Sequence, residues 1–450
     1  MTASRLLWIE FRRNAGIWFV LPILAVAWYL LDSTWVWTPF LWSDTNELLQ
    51  KSLILFAGPA LAGLAAWMAG RDRHRGVDDL LQTTPLPETR RCVVLLSATA
   101  LWAILAYVIF AAYMLGRTAR LATWGRPSLW PILIVLAALV AYGAWGFLAG
   151  SLFRSRFTAP LAAIVAFGVE AGFENSSSVT SFNSGGSVQT VQTSNWLNAL
   201  TPDSLSPFPH WQFLLYVGLT ATALAALALI YRRDVWRIGA LLLAIGLTAG
   251  SVVMLWGNSR HYNPATNVVT NNFGQVIHVS APVQPEPVCA GTPVTVCTNP
   301  AWKPVLAKAV TQANELVQPL LGLRGVPLRA ERDDVGFSGG RNSGAYLNLS
   351  RYADQLVADD ASMSKGYVHN EAQLAVRRWL LDRAGITARP SCADVAANPG
   401  DIPDIPGWPT AASCAASDRF AQLSPEMQHD WLAAHYADLR AGKLTLADLP

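Results

Sequence analysis

The run YVHNEAQLAVRRWLL (367–381) sets an imidazole and a carboxylate two residues apart at the start of a helical pattern. Peptide hydrolysis at zinc on such a helix needs HExxH, which puts two imidazoles on one face and a glutamate beside the attacking water. Here Asn370 separates His369 from Glu371, and no second histidine follows one turn later. His429 and His435 are six apart and share a helix face poorly. His369 is therefore expected at the surface or as a cap. No GxxxxGK[ST] phosphate loop occurs, so the chain itself is not expected to hydrolyse nucleotides. Its nearest imitation, GFSGGRNSG (336–344), lacks the lysine and reads as a flexible loop. No GxSxG elbow is present, and a Ser/His/Asp triad built from distant positions leaves no spacing to read.

The cysteines point to structure rather than nucleophilic chemistry. Cys92 opens an apolar run, whereas Cys289, Cys297, Cys392 and Cys414 all lie in the polar C-terminal part. An even set in one region suggests two disulfides and an oxidising, extracytoplasmic compartment. Four cysteines allow three connectivities, and the short 289/297 and 392/414 spacings favour local pairing. A last candidate is Glu170, the sole acid inside an apolar run. A carboxylate in lipid is costly and marks a functional site, here a translocation path, unless the helix ends early and leaves it in water.

The elements that must position these groups follow from composition. Of 450 residues 52% are hydrophobic and 14% charged, against about 25% charged in soluble domains. The charge deficit arises because stretches of about 20 apolar residues, each matching a bilayer's hydrocarbon core, carry almost none. Seven such runs lie near 14–31, 52–70, 92–115, 129–152, 157–173, 211–231 and 237–256. The first is long, Trp-rich and without a small-residue cleavage site, so it is expected to stay in the membrane. Gly146/Gly150 and Gly168/Gly172 have the GxxxG spacing that permits close helix approach.

With the amino terminus in the cytoplasm, Arg71, Arg73, Arg75, Arg90, Arg91, Arg154, Arg156, Arg232, Arg233 and Arg237 fall inside. Seven spans then send the carboxyl terminus out, in agreement with the cysteines, which use no loop charges. Residues 1–257 carry 17 Lys/Arg against 12 Asp/Glu and the remainder 16 against 18. The basic excess belongs to the membrane part, so no nucleic-acid partner is expected. The expected fold is thus an all-α membrane bundle (1–257) followed by a disulfide-stapled α+β extracytoplasmic domain (258–450).

Residues 2–13, TASRLLWIEFRR, read as an amphipathic helix along the inner membrane surface. Between the fifth and sixth runs, SSSVTSFNSGGSVQT (176–190) reads as mobile, and SNWLNALTP (194–202) as a short helix dipping into the outer face. In the C-terminal part NVVT and QVIHVS are β-prone, and 302–323, 371–384 and 425–441 have helical spacing.

The most informative stretch is RDRHRGVDDLLQTTPLPETRR (71–91), caught between two apolar runs. A short helix over Gly76–Gln82 would present Val77, Leu80 and Leu81 as an apolar ridge, ended by Pro85 and Pro87. Apolar residues facing the cytoplasm suggest that something docks there. The amphipathic first helix, a pair of spans and this RxxxRGVxxLLxTTPxP segment resemble the permease subunits of ABC-2 type exporters, over about residues 1–235. That resemblance implies a coupling helix made of Arg73, Arg75, Gly76, Val77, Asp78, Asp79, Leu80, Leu81, Thr83 and Thr84, seated in a separate ATP-binding subunit. It also implies that ATP and Mg belong to that partner, that no cofactor belongs to this chain, and that a second permease completes the complex within membrane lipid. A seventh span and the added domain depart from the family's usual six spans. Two other classes stay open: an extracytoplasmic enzyme anchored by its spans, and a sensor signalling inward.

Overall fold

The computed structural model describes residues 3–14, 16–33, 37–51, 53–74, 88–153, 155–174, 178–184, 187–193, 209–231, 234–263, 268–276, 286–331, 336–340, 344–359, 370–386, 392–397 and 409–450. Packing divides the chain into two units, Met1–Arg120 with Arg126–Pro282, and Leu121–Gly125 with Val283–Pro450. Composition changes at Gly257, but the packing divides at Pro282/Val283.

In the first unit the apolar runs become helices because nothing in them competes with intrahelical hydrogen bonding in lipid. The order is α1 (Ala3–Arg13), α2 (Ile17–Ser33), α3 (Trp42–Lys51), α4 (Ile54–His74), α5 (Glu88–Leu121), α6 (Trp130–Leu152) and α7 (Thr158–Glu174). A hairpin of β1 (Ser178–Ser184) and β2 (Ser187–Thr193) follows, then α8 (Pro209–Tyr231), α9 (Val235–Gly257) and a hairpin of β3 (Arg260–Asn263) and β4 (Val268–Asn271). Among the described residues five stretches are long and apolar enough to cross a membrane: Trp42–Arg71, Arg90–Leu121, Trp130–Leu152, Pro209–Ile230 and Val235–Gly257. Shorter apolar helices cover Val20–Tyr29 and Thr158–Ala171, at the first and fifth runs. The chain is a multi-span membrane protein.

Lipid tails are as apolar as leucine, so helices in a bilayer associate by close packing and by hydrogen bonds between them. Both are visible here. On α6 a Cβ at Gly146 would overlap the Ala62 carbonyl of α4, and one at Gly150 the Ala66 carbonyl, so the two backbones touch through an Ala-xxx-Ala/Gly-xxx-Gly seam. On the adjacent flank α4 receives α7: a Cβ at Gly63 would lie 3.0 Å from the Ala163 methyl and 3.1 Å from the Ala159 carbonyl. In the second GxxxG spacing Gly168 is not used in this way, since it has nothing within 4 Å of its missing Cβ. Alanines one and two turns into α7 replace it.

Polar pairs set the register elsewhere. The Thr45 and Thr118 hydroxyls meet at 2.7 Å, Trp37 Nε1 donates to Thr45 Oγ1 at 3.2 Å, and Gln50 Nε2 donates to Gln212 Oε1 at 3.3 Å. The Tyr107 hydroxyl, fully buried, donates to the Leu49 carbonyl at 3.1 Å. These bonds tie α3, which the hydropathy pattern does not announce, to α5 and α8.

The second unit has a three-stranded sheet of β5 (Val288–Ala290), β6 (Thr295–Thr298) and β7 (Arg329–Ala330), with β6 antiparallel to β5 and parallel to β7. It also has α10 (Lys303–Val317), a hairpin of β8 (Gly336–Gly340) and β9 (Gly344–Asn348), α11 (Ser350–Val357), α12 (Glu371–Arg383), α13 (Cys392–Ala397), α14 (Ala411–Ala421) and α15 (Pro425–Arg440). This is a mixed helix and strand domain. Its core closes around Leu316, Tyr352, Trp379, Leu380, Phe420 and Leu432. Disulfides join Cys289 to Cys297, opposite one another on β5 and β6, and Cys392 on α13 to Cys414 on α14. They are the two local pairs that the spacing favours.

Two expectations change. In the glycine-rich stretch 336–344 the described residues are paired strand rather than loop, Gly336–Gly340 pairing with Gly344–Asn348. The segment 178–193 is likewise a paired hairpin, its Val/Thr alternation outweighing its polarity. The expected helix at 194–202 lies outside the described residues.

The glycine seam makes a direct prediction. Gly146→Ala and Gly150→Ala should each destabilise the bundle by about 1–3 kcal/mol through overpacking, whereas Gly168→Ala should cost nothing. Thermal unfolding of the three variants in detergent checks this, with a clearly lowered midpoint expected for the first two only.

Candidate functional site

Two places in the first unit bring chemistry-bearing groups together: the root of the 75–87 connector, and a polar pair inside the bundle.

At the root of the connector, α4 runs on past its apolar part to His74, and α5 begins at Glu88. α5 has 34 residues, about 51 Å at 1.5 Å per residue, against a hydrocarbon core of about 30 Å. Arg71, in the last turn of α4, forms an ion pair with Glu10 of α1 at 3.6 Å. The first helix is further clamped to α5. Phe11 stacks on Trp102 at 4.2 Å between ring centroids, Trp102 Nε1 donates to the Phe11 carbonyl at 2.9 Å, and Asn14 Nδ2 donates to Thr99 Oγ1 at 3.0 Å. Gly16 leaves room for the Trp102 ring, which would lie 2.8 Å from a Cβ there. Of the expected coupling residues, Arg73 belongs to the last turn of α4. Arg75, Gly76, Val77, Asp78, Asp79, Leu80, Leu81, Thr83 and Thr84 lie outside the described residues.

Inside the bundle, α7 continues to Glu174, so Glu170 does not sit in water beyond a helix end. It is fully buried and accepts a hydrogen bond from the Tyr142 hydroxyl of α6. Gly58 of α4 makes room for that tyrosine, whose ring would lie 2.8 Å from a Cβ at that position. Three helices thus build the pair: α7 brings the carboxyl, α6 the donor and α4 the space. The hydroxyl satisfies part of a group that would be costly to bury alone. Sequence reasoning found Glu170 by its charge but not Tyr142, since a tyrosine in an apolar run carries no signal.

Beside the pair lies a groove of about 500 Å³ between α7 and α8, with α6 beneath it, and Tyr142 belongs to its wall.

No family model matches the chain, and neither the curated proteins nor the solved structures include one similar to it. The bundle and the second unit must therefore be argued from their own residues.

In the second unit the residues around the interrupted zinc pattern have structural partners. Asn370 caps α12, its Oδ1 accepting from the amides of Ala372 and Gln373 at 2.9 and 3.2 Å. Its Nδ2 donates to the carbonyls of Gly442 and Leu444. Gln373, buried, donates to the Leu439 carbonyl at 2.7 Å, so the start of α12 is clasped to the end of α15. Glu371 accepts from Thr410 Oγ1 at 3.1 Å. His429 and His435 contact the backbone carbonyls of Pro319 and Trp431, and His369 lies outside the described residues. Deeper in the unit Asp354 pairs with Arg377. Burial raises the Asp354 carboxyl above its ordinary range, and Arg377 and Arg351 pull it back only in part. Burial pushes the Tyr436 hydroxyl up to about 12, and that hydroxyl donates to the Leu356 carbonyl at 2.7 Å.

The Tyr142–Glu170 bond should behave as one unit. Tyr142→Phe and Glu170→Leu should each lower the unfolding midpoint in detergent, and the double variant should be no worse than the poorer single. The coupling expected is about 0.6–1.7 kcal/mol, the range of hydrogen bonds within membranes. Strictly additive losses would mean that the bond contributes nothing.

Proposed function

We propose that the chain is the permease of an ATP-driven exporter, whose ATP-binding subunit is a separate chain and docks on the 71–91 segment. The observation that carries this reading is the position of α4. The helix that ends in the connector is also the one packed closest to its neighbours, through Ala62 and Ala66 on α6 and Gly63 on α7, and it holds α1 through Arg71. A push on the connector would therefore be passed to both sides of the bundle rather than absorbed by a loose helix. Two arrangements of α4 against its neighbours would supply the inward and outward states, and nucleotide in the partner would bias between them.

Seven crossings and opposite sides for the two termini belong to this reading, and one ion pair supports counting α2 among the crossings. Glu10 before α2 pairs with Arg71 at the end of α4, so the beginning of α2 and the end of α4 share a side of the membrane. α4 crosses once, and the pairing therefore requires α2 to cross as well, although it has 17 residues. Further on, α6, α8 and α9 are long enough to cross, and on this reading the apolar α7 crosses between them. Seventeen residues lie at the short end of the range that spans a bilayer. With the arginine-rich connectors inside, the second unit and its two disulfides lie outside the cell membrane, where disulfides persist. A second permease, identical or related, would complete the path.

Two measurements test this. Affinity purification of the chain from its native membrane should recover an ATPase, and reversing Asp78 and Asp79 to Lys, or trimming Leu80 and Leu81 to Ala, should reduce that recovery at least tenfold; undiminished recovery rejects the docking segment. After mild reduction of intact cells, a membrane-impermeant thiol reagent should reach Cys289, Cys297, Cys392 and Cys414. Labelling that requires lysis would invert the topology.

A further inference from the structure

The groove between α7 and α8 has a wall chemistry that the export reading does not use. Its sides include Leu161 and Val165 of α7, Tyr142 and Trp145 of α6, and Tyr216 and Leu219 of α8. Three polar side chains of this wall are engaged within the protein. The Tyr142 hydroxyl donates to Glu170, Trp145 Nε1 donates to the Leu219 carbonyl at 3.1 Å, and Thr158 Oγ1 points to the Phe153 carbonyl at 3.5 Å. Glu170 is behind Tyr142 and not part of the wall, so the groove offers no charge to a cation. What faces the space is mostly hydrocarbon.

The groove opens toward the same medium. Leu161, Val165 and Trp145 at its sides are 58%, 56% and 43% exposed, and all three sit on helices whose composition suits the bilayer interior. At one end the connector between α6 and α7 brings Phe153 and Thr158 into the wall and leaves Phe157 and Arg156 exposed. An apolar slot within the membrane, walled at one end by Phe153 and Thr158 with the exposed Arg156 between them in the sequence, is complementary to an amphiphile with a long neutral chain and an anionic head.

We propose that this groove holds one acyl chain of an anionic phospholipid, drawn from the leaflet next to the α6–α7 connector, with its phosphate at Arg156. The chain fills a space that would otherwise leave the flanks of α6, α7 and α8 without packing partners. A lipid held there wedges α7 away from α8 and keeps α7 leaning on α4.

The test uses the full-length chain without any ATPase or transport assay, so its outcome is separate from that of the export reading. Purified protein is stripped of lipid, incubated with vesicles of phosphatidylglycerol or of phosphatidylcholine, washed, and weighed intact by native mass spectrometry. Wild type should retain one phosphatidylglycerol per chain, with about a fivefold preference over phosphatidylcholine. Ala166→Phe, which fills the groove, should reduce retention at least tenfold at an unchanged unfolding midpoint; Val165→Trp, from the rim, serves if that variant does not assemble. Arg156→Glu should keep the chain folded but abolish the preference. Equal retention by wild type and the filled variants overturns the proposal, as does equal retention of the two lipids by wild type. So does efficient disulfide cross-linking between two copies through Leu161→Cys in native membranes, which would make a second copy the occupant.

Discussion

The approach of α4 to α6 at backbone distance is the constraint from which most of the bundle follows. Helices in lipid gain little from hiding apolar side chains, so a contact that brings backbone against backbone has disproportionate weight. Gly146 and Gly150 supply it because any side chain there would overlap the carbonyls of Ala62 and Ala66. Once that seam is fixed, α4 has one flank committed to α6, and its Gly63 receives α7 on another. α7 is thereby drawn toward α4 and away from α8, and the groove over α6 is the space left by that choice.

Interior polar groups then fix what close packing leaves free. An apolar seam of small residues tolerates a shift by one turn, since the next small residue offers nearly the same surface. A hydrogen bond does not. Asn14 with Thr99, Thr45 with Thr118, Gln50 with Gln212 and Tyr142 with Glu170 each join helices far apart in sequence, and each would leave donors or acceptors in hydrocarbon if its helices slipped. Glu170 differs from the rest in bringing a titratable group into that set.

Legibility in the sequence followed the strength of the physical constraint. All seven apolar runs become helices, because lipid leaves the backbone no alternative, and the Gly146/Gly150 contact was visible as a spacing. The Gly168/Gly172 spacing was equally visible but is not used at Gly168, because a spacing cannot say which way a helix faces. Alanines serve on α7 instead, and alanine is too common in membrane helices to stand out. The hairpin at 178–193 was hidden by its serines and glycines, since a paired strand of Thr and Val resembles a mobile linker in composition. Tyr142 was illegible for a different reason. Its role depends on a carboxylate 28 residues away and on the absence of a side chain at Gly58, and neither relation leaves a local trace.

α7 is the helix whose attachments make a switch physically reasonable. It is short, it meets α4 through small side chains, and Tyr142–Glu170 ties it to α6. On its other flank lies the groove, so a displacement in that direction meets an exchangeable lipid chain rather than packed side chains. If the connector at the end of α4 is driven from outside the chain, the seam with α6 resists and the lighter contact with α7 yields first. Movement would then break the Tyr142–Glu170 bond in a medium where taking a donor away from a carboxylate is costly. That cost gives the bond its meaning on the export reading. It holds the resting arrangement against thermal drift, yet it is a single hydrogen bond, small enough for one nucleotide-driven step to overcome.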